Sequence, residues 1–257
     1  MTIQECNFLY AGRSSEEFNL IMVDFSEPTA SNDESSELLL STTPYRRTWS
    51  LHAVQKSEPL KFRITLCKSN GEYLDAYEES EIKEWLIKDN FNWFSVDQTD
   101  LANTNYFCIL SNPQKVNVAR RSGGISFDVT CNSQGAWSNL MTKNYVSTTT
   151  YTFNFYNHVS YDKFELLPTL TITSNANQNI SIKNNTINKT VTINNCLSGE
   201  TIIIDSENDL IDTTATRNII DAWNVETLSL VKGNNSVTLT GNFLLKLEYR
   251  LPVRIGG

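Results

Sequence analysis

The sequence predicts a mostly β protein of two domains. The first is β-rich with one α-helix, and the second is an antiparallel β-sandwich. Three observations carry this prediction. Runs of alternating apolar and polar residues recur along the chain, the period-2 pattern of half-buried strands. One stretch, SEIKEWLIKDN (80–90), places apolar residues at helical spacing. The composition shifts near residue 133, which sets the expected domains at 1–133 and 134–257. The first span holds 19 acidic and 12 basic residues, a net of −7. The second holds 10 acidic and 9 basic residues and is crowded with 18 Asn and 18 Thr. Thr favours strand faces and Asn favours turns.

In the first domain the strand candidates are FNLIMVDF, RRTWSLHAV, PLKFRITLC, YFCILS, KVNVAR and GISFDVTC. In the last of these Ile125, Phe127, Val129 and Cys131 fall on one face. The helix is expected to start at Ser80 as its cap, with Glu81 and Glu84 in the positive first turn. Ile82, Trp85 and Leu86 share one face, and Glu84 with Lys88 forms an i, i+4 pair worth about 0.3–0.5 kcal/mol. Between Asp24 and Tyr45 lies a long polar segment with proline near both ends. It reads either as a mobile surface loop or as an arm that orders on a neighbouring subunit.

The second domain reads as short strands: YTFNFYN, FELLPTLTITS, ISIKNNT, KTVTINN, ETIIIDS, TLSLVKG, SVTLTG and FLLKLEYRL. Asn and Gly between them fit an antiparallel sandwich. NNTINKT reads as a tight connection. LSLVKGNNSVTLTG (228–241) reads as a β-hairpin turning at KGNN. The segment ENDLIDTTATRNIID is the one long connection.

Composition and motifs then limit the function. Of the 257 residues 40% are hydrophobic and 19% are charged, so a sizeable core can form. A net charge of −8 argues against a nucleic-acid binder. No run of about 20 apolar residues exists to span a membrane, and the N-terminal stretch does not read as a secretory signal. The five cysteines (Cys6, Cys67, Cys108, Cys131, Cys196) form no CxxC pair and read as buried reduced thiols, with a metal or redox site as the alternative. The Asn-x-Ser/Thr matches at Asn184, Asn188 and Asn234 then read as incidental.

His52 and His158 stand apart, without a second ligand nearby. No GxSxG, HExxH, Walker or dinucleotide motif is present. Glu78, Glu79 and Glu81 cluster, and read as a solvated helix start rather than a hydrolytic pair. ARRSGG (119–124) reads as a turn between strands. Tyr151, Phe153 and Phe155 alternate onto one face, read as core rather than as a sugar platform. No catalytic, cofactor-binding or metal-binding residue is assigned, and no cofactor is expected.

The order of features carries a resemblance. FLYAGRSSEEFNLIMV is followed by hairpin strands, then EIKEWLIKDNFNWFSV, DLANTNYFCILS, ISFDVTCNSQGAW, and finally WNVETLSLVKGNNSVTLTG with LKLEYRLPVRI. From about Phe8 to Ile255 this resembles the distal tail protein family of long non-contractile phage tails. The resemblance implies an N-terminal domain forming a hexameric ring and a C-terminal galectin-like sandwich. It implies a structural protein of the virion, assembled in the host cytoplasm, without enzymatic activity. The implied partners are other copies of the chain, the tail tube protein, the tail-tip hub or tail-associated protein, and a receptor-binding protein, with DNA passing through the lumen unbound. The sequence lacks the His-Asn-Arg set over a Trp that a sugar-binding galectin site needs. A carbohydrate-binding host-adhesion module is the alternative, and a glycosidase the more distant one.

Overall fold

The computed structural model describes residues 6–25, 36–41, 50–56, 59–118, 121–159 and 164–253. Two compact units make up the chain, Met1–Trp137 with Val253–Gly257, and Ser138–Pro252.

The first unit contains β1 (Phe8–Tyr10), β2 (Arg13–Ser14), β3 (Leu20–Phe25), β4 (Ser36–Ser41), β5 (Ser50–Lys56), β6 (Lys61–Lys68), the helix α1 (Ala76–Leu86), β7 (Asn92–Val96), β8 (Asn105–Val118), β9 (Arg121–Cys131) and β10 (Ala136–Trp137). One antiparallel sheet runs β2-β1-β7-β8-β9-β6-β3, with β10 joining against β8. Its inner face follows from alternation: Phe8, Tyr10, Ile64, Leu66, Phe94, Tyr106, Phe127 and Val129 are buried in one cluster. The expected face of β9, Ile125 to Cys131, lies wholly in that core. Helix α1 packs Ile82, Trp85 and Leu86 into it. The Trp85 ring stacks on Phe8 at 5.6 Å and on Phe18 at 4.4 Å between centroids, and its Nε1 donates to the Tyr10 carbonyl at 3.1 Å. At Gly124 the backbones come so close that a Cβ would lie 2.4 Å from the Leu66 carbonyl oxygen, so glycine is required there.

Several expectations need correction. The helix starts five residues earlier than Ser80, behind Asp75. The Asp75 carboxylate accepts from the amides of Tyr77 and Glu78, and Glu78 reaches back to the Asp75 amide. This reciprocal capping box satisfies orphan amides that Ser80, inside the helix, has no reason to serve. Lys88 donates to the Glu84 carbonyl (3.1 Å), because the helix has ended at Leu86. YFCILS and the described part of KVNVAR, up to Val118, are one strand, β8, interrupted by a bulge near Asn112, which sits at φ 53°. The segment from Asp24 to Tyr45 is not a loop throughout. Asp24 and Phe25 end β3, and Ser36–Ser41 forms β4, which pairs with β5 in its own two-stranded ladder. The apolar run Leu38 to Leu40 makes that stretch strand-forming. The rest of that segment lies outside the described residues.

The second unit contains β11 (Met141–Ser147), β12 (Thr150–Asn157), β13 (Thr169–Ser174), β14 (Gln178–Asn184), β15 (Lys189–Cys196), β16 (Thr201–Asp205), β17 (Leu210–Thr213), β18 (Gly233–Thr240) and β19 (Phe243–Tyr249). Two antiparallel sheets, β11-β19-β13-β16-β17 and β12-β18-β14-β15, share one core. Leu170, Ile172, Ile202, Ile204, Leu245 and Leu247 fill it from one side; Phe153, Ile180, Ile182, Val191, Val237 and Leu239 fill it from the other. The chain crosses repeatedly between the sheets, and two of these crossings, β11 to β12 and β18 to β19, form adjacent corners. At one of them Gly241, at φ 123°, donates its amide to the Thr149 carbonyl (2.7 Å).

The hairpin expected at KGNN does not form. Gly233, Asn234 and Asn235 are already in β18, opposite β12. The cause is the buried Asn235 side chain. It accepts from the Val231 amide (3.0 Å) and donates to the Val231 carbonyl (2.7 Å), taking the place of a strand partner. Leu230 instead exchanges two backbone hydrogen bonds with Leu166. The long connection ENDLIDTTATRNIID is also structured: it holds β17 and a short 3-10 turn, Ile220–Ala222.

Candidate assembly surfaces

The buried titratable groups Glu79 and Glu200 are engaged in holding the fold. Among the described residues no group of His, Cys, Asp and Glu is placed to hold a metal ion. His158 packs on the Tyr156 ring, 4.5 Å between centroids; the His52 side chain lies outside the described residues. The cluster expected to be a solvated helix start is only partly so. Glu78 pairs with Lys68 (2.5 Å), while Glu79 is buried and pairs with Lys115 at 2.6 Å and Lys83 at 3.8 Å. Burial alone pushes the Glu79 carboxyl up. The hydrogen bond from Lys115 and the charges of Lys115 and Lys83 outweigh that and hold it below the usual carboxylate range. Helical phase, not charge, decides this: Glu79 lies three residues before Ile82 and shares its buried side.

In the second unit Glu200 is wholly buried and meets Arg217 through two hydrogen bonds, Nε to Oε1 at 2.8 Å and an Nη to Oε2 at 3.0 Å. Thr213 and the Leu197 amide add two more donors. Its acid is satisfied by a fixed set of neighbours, as a structural clamp requires.

The surface is more informative. Phe153 and Phe155 are core, as alternation predicts, and Tyr151 is exposed at the strand end. An exposed aromatic stripe exists instead on the first unit. Trp93 of β7 sits opposite Phe107 of β8, with ring centroids 4.8 Å apart, and Phe91 packs on Phe107 at 5.9 Å. Trp93 is 37% exposed and Phe91 41%. Leu9 of β1, exposed, continues the same outer face, since its partner Ser95 is two residues from Trp93. The aromatic residues that the sequence analysis weighs as a platform lie in the second domain, and this stripe on the first is a separate one. The signal was present: NWF and YF each put one ring on either face of their strand, Phe94 and Tyr106 inward, Trp93 and Phe107 outward. The outer face of the β12-β18-β14-β15 sheet carries Thr and Asn side chains beside the exposed Tyr156. There Thr152 and Thr238 hydroxyls lie 2.9 Å apart, and Asn185 donates to Thr238 at 2.8 Å.

Two family models cover almost all of the chain. Residues 3–133 match a phage tail protein N-terminal domain, and residues 136–249 match a phage tail C-terminal domain. The chain belongs to this family of phage tail proteins. No curated protein matches the sequence of this tail protein. Among solved structures, its fold is similar to the Dit protein (gp 19.1) of phage SPP1, described as a paradigm of the hub adsorption apparatus in phages infecting Gram-positive bacteria. The TM-score is 0.68 at 10% identity, over 96% of this chain and all of that one. A chain of the phage P2 baseplate in its activated conformation with calcium is similar at TM-score 0.64 and 10% identity, over 99% of this chain and 100% of that one. The tail protein thus shares a fold with both over nearly its full length.

Proposed function

We propose that this tail protein is a connector at the distal end of the phage tail. In this reading six copies close into a ring that joins the tail tube protein to the tail-tip hub. The second unit is a galectin-like platform on which a receptor-binding component docks. The observation that carries the reading is the likeness to SPP1 Dit across both units, 96% of this chain against all of that one. A ring closes through heterologous contacts, two different patches meeting head to tail. The Trp93–Phe107–Phe91 stripe supplies one apolar patch, since exposed aromatic clusters mark interaction sites. The excursion between β3 and β6, which carries the β4–β5 ladder, supplies a reaching element. The net charge of −7 over residues 1–133 also suits a lumen that lets DNA pass: repeated around a ring, it repels phosphates within about 8–10 Å at physiological salt. The chain does no chemistry in this role, takes no cofactor or metal, and resides in the virion after assembly in the host cytoplasm.

Light scattering across a concentration series, alone and with neighbouring tail components, tests this. The expected species has six times the 29.2 kDa subunit mass. Trp93→Asp should abolish it while leaving the circular dichroism of the subunit unchanged. A chain that stays monomeric even with its tail neighbours overturns the ring, and a variant that closes as well as wild type overturns this face. The polar Thr152–Thr238–Asn185 face favours the second reading, a carbohydrate-binding adhesion module, which a glycan array on the intact chain addresses directly.

A further inference from the structure

The register of β8 against β9 sets Cys108 directly opposite Cys131. Opposed residues of an antiparallel pair project to the same side, and both cysteines lie in the core of the first unit, 0% and 1% exposed. The backbone bonds tell which kind of pair this is. The Cys131 amide points away from β8 and donates to the Leu60 carbonyl at 2.9 Å, while the next amide, that of Asn132, donates to the Phe107 carbonyl at 2.8 Å. Cys108 and Cys131 are therefore a non-hydrogen-bonded pair, the class with Cα atoms about 4.5 Å apart and the closer side chains. A disulfide accepts Cα separations of roughly 4.4–6.8 Å. Both are free thiols in the structure. The other cysteines are placed elsewhere: Cys6 bridges to Met22, Cys67 pairs with Ile21, and Cys196 belongs to the core of the second unit.

We propose that Cys108 and Cys131 are a reversible cross-strand disulfide site, oxidised by a low-molecular-weight disulfide such as oxidised glutathione. One cysteine loses its proton and attacks a glutathione sulfur; the S–S bond breaks, and one glutathione leaves as the thiolate that takes up the proton. The second cysteine, likewise deprotonated, attacks the mixed disulfide and releases the second glutathione. Two protein thiols are oxidised and one glutathione disulfide is reduced to two thiols. The bridge ties β8 to β9, and the register already in place asks for no strand slip. The surroundings set the kinetics. The neighbouring Cys131 thiol and burial push the Cys108 thiol well above its ordinary range, so little thiolate exists in the closed protein. The exchange runs through local opening of the ladder or during folding. The site thus stays reduced in a reducing cytosol and closes in an oxidising medium. This inference is independent of the ring assembly.

The test uses the full chain. Native protein is incubated with oxidised glutathione, its remaining thiols are alkylated, and its peptides are read by mass spectrometry. A parallel sample is refolded from denaturant in a glutathione redox buffer, which gives the oxidant access. Two of the five thiols should be lost, the mass should fall by two hydrogens, and a Cys108–Cys131 peptide should appear in at least one arm. Reductant should reverse all three. The first unit's unfolding midpoint should rise by roughly 5–10 °C when bridged. Five intact thiols in both arms, glutathione adducts without a bridge, or a bridge to Cys6, Cys67 or Cys196 overturns the site. Cys108→Ser should lose the crosslink. Should that variant fail to fold, the wild-type peptides decide alone.

Discussion

The two units solve the burial of a sheet in different ways. The first has one large sheet whose inner face is covered by the helix and by stacked rings: Phe8, Phe18, Trp85, Phe94 and Tyr106. Its outer face keeps Trp93, Phe91 and Leu9 in solvent. The second folds two sheets on each other around Ile, Leu and Val, and its outer faces mix Thr and Asn with exposed Tyr156, Ile203 and Leu244. Several of the polar groups in its interior clamp it, as Glu200 with Arg217, or Asn184 with Asn235 at 3.1 Å. A sandwich covers itself; a single sheet under one helix does not. The second unit closes its core between its own two sheets, and the first leaves its aromatic stripe on the uncovered face of its sheet.

The strongest way to break that comparison is Trp85→Ala. Trp85 is 3% exposed and touches Phe8 and Phe18. Its removal leaves a large cavity and takes one hydrogen bond from the Tyr10 carbonyl, and should cost about 3–5 kcal/mol. Hydrogen exchange should show protection lost through β1, β7 and β8 and kept in β13 and β19. Equal loss in both units would mean that their cores are not independent.

Arg217→Met probes the other side. It leaves the Glu200 carboxylate buried without its cation and should destabilise the second unit by about 3 kcal/mol at neutral pH. The pH dependence sharpens the test. In the wild type, burial raises the Glu200 carboxyl, but Thr213, Arg217 and the Leu197 amide together hold it below the usual range. Its stabilising contribution is therefore present above the unfolded value, about 4.3, and is lost as pH falls through the lower folded value. In the variant burial dominates, the folded value rises above the unfolded one, and acidification relieves the strain. The gap between wild type and variant should narrow from pH 7 to pH 4 in thermal melts. A gap independent of pH would mean that Arg217 acts by packing alone.

What the sequence made legible divides along the same line. Period-2 alternation placed Ile125 to Cys131, Phe153 and Phe155, and most strands of the sandwich, because a residue's face in a strand depends only on parity. Helical spacing placed Ile82, Trp85 and Leu86. Features fixed by side-chain hydrogen bonds across the fold were not legible. Asn235 turns an apparent hairpin into a strand end, and Asn reads as a turn residue until its partners Val231 and Gly233 are known. Glu200 and Arg217 are 17 positions apart with nothing local to link them. The aromatic stripe was legible but overlooked, since NWF and YF state it by alternation alone.

The smallest effect separates two readings of the helix start. Asp75 Oδ1 accepts from Tyr77 at 2.9 Å and from Glu78 at 2.8 Å, and Glu78 returns a bond to the Asp75 amide at 3.0 Å. Asp75→Ala removes the cap acceptor and a negative charge at the positive helix end, and should cost about 1 kcal/mol. Ser80, the start that local pattern favoured, is exposed and within the helix, so Ser80→Ala should change stability by no more than about 0.5 kcal/mol, in the stabilising direction. Urea unfolding followed by Trp fluorescence measures both. The two values must differ in sign if the chain enters the helix at Asp75; a larger loss at Ser80 would return the start to the later position. The helix carries Trp85 onto the inner face of the sheet, so a loosened first turn weakens the cover of the first unit before it touches the other.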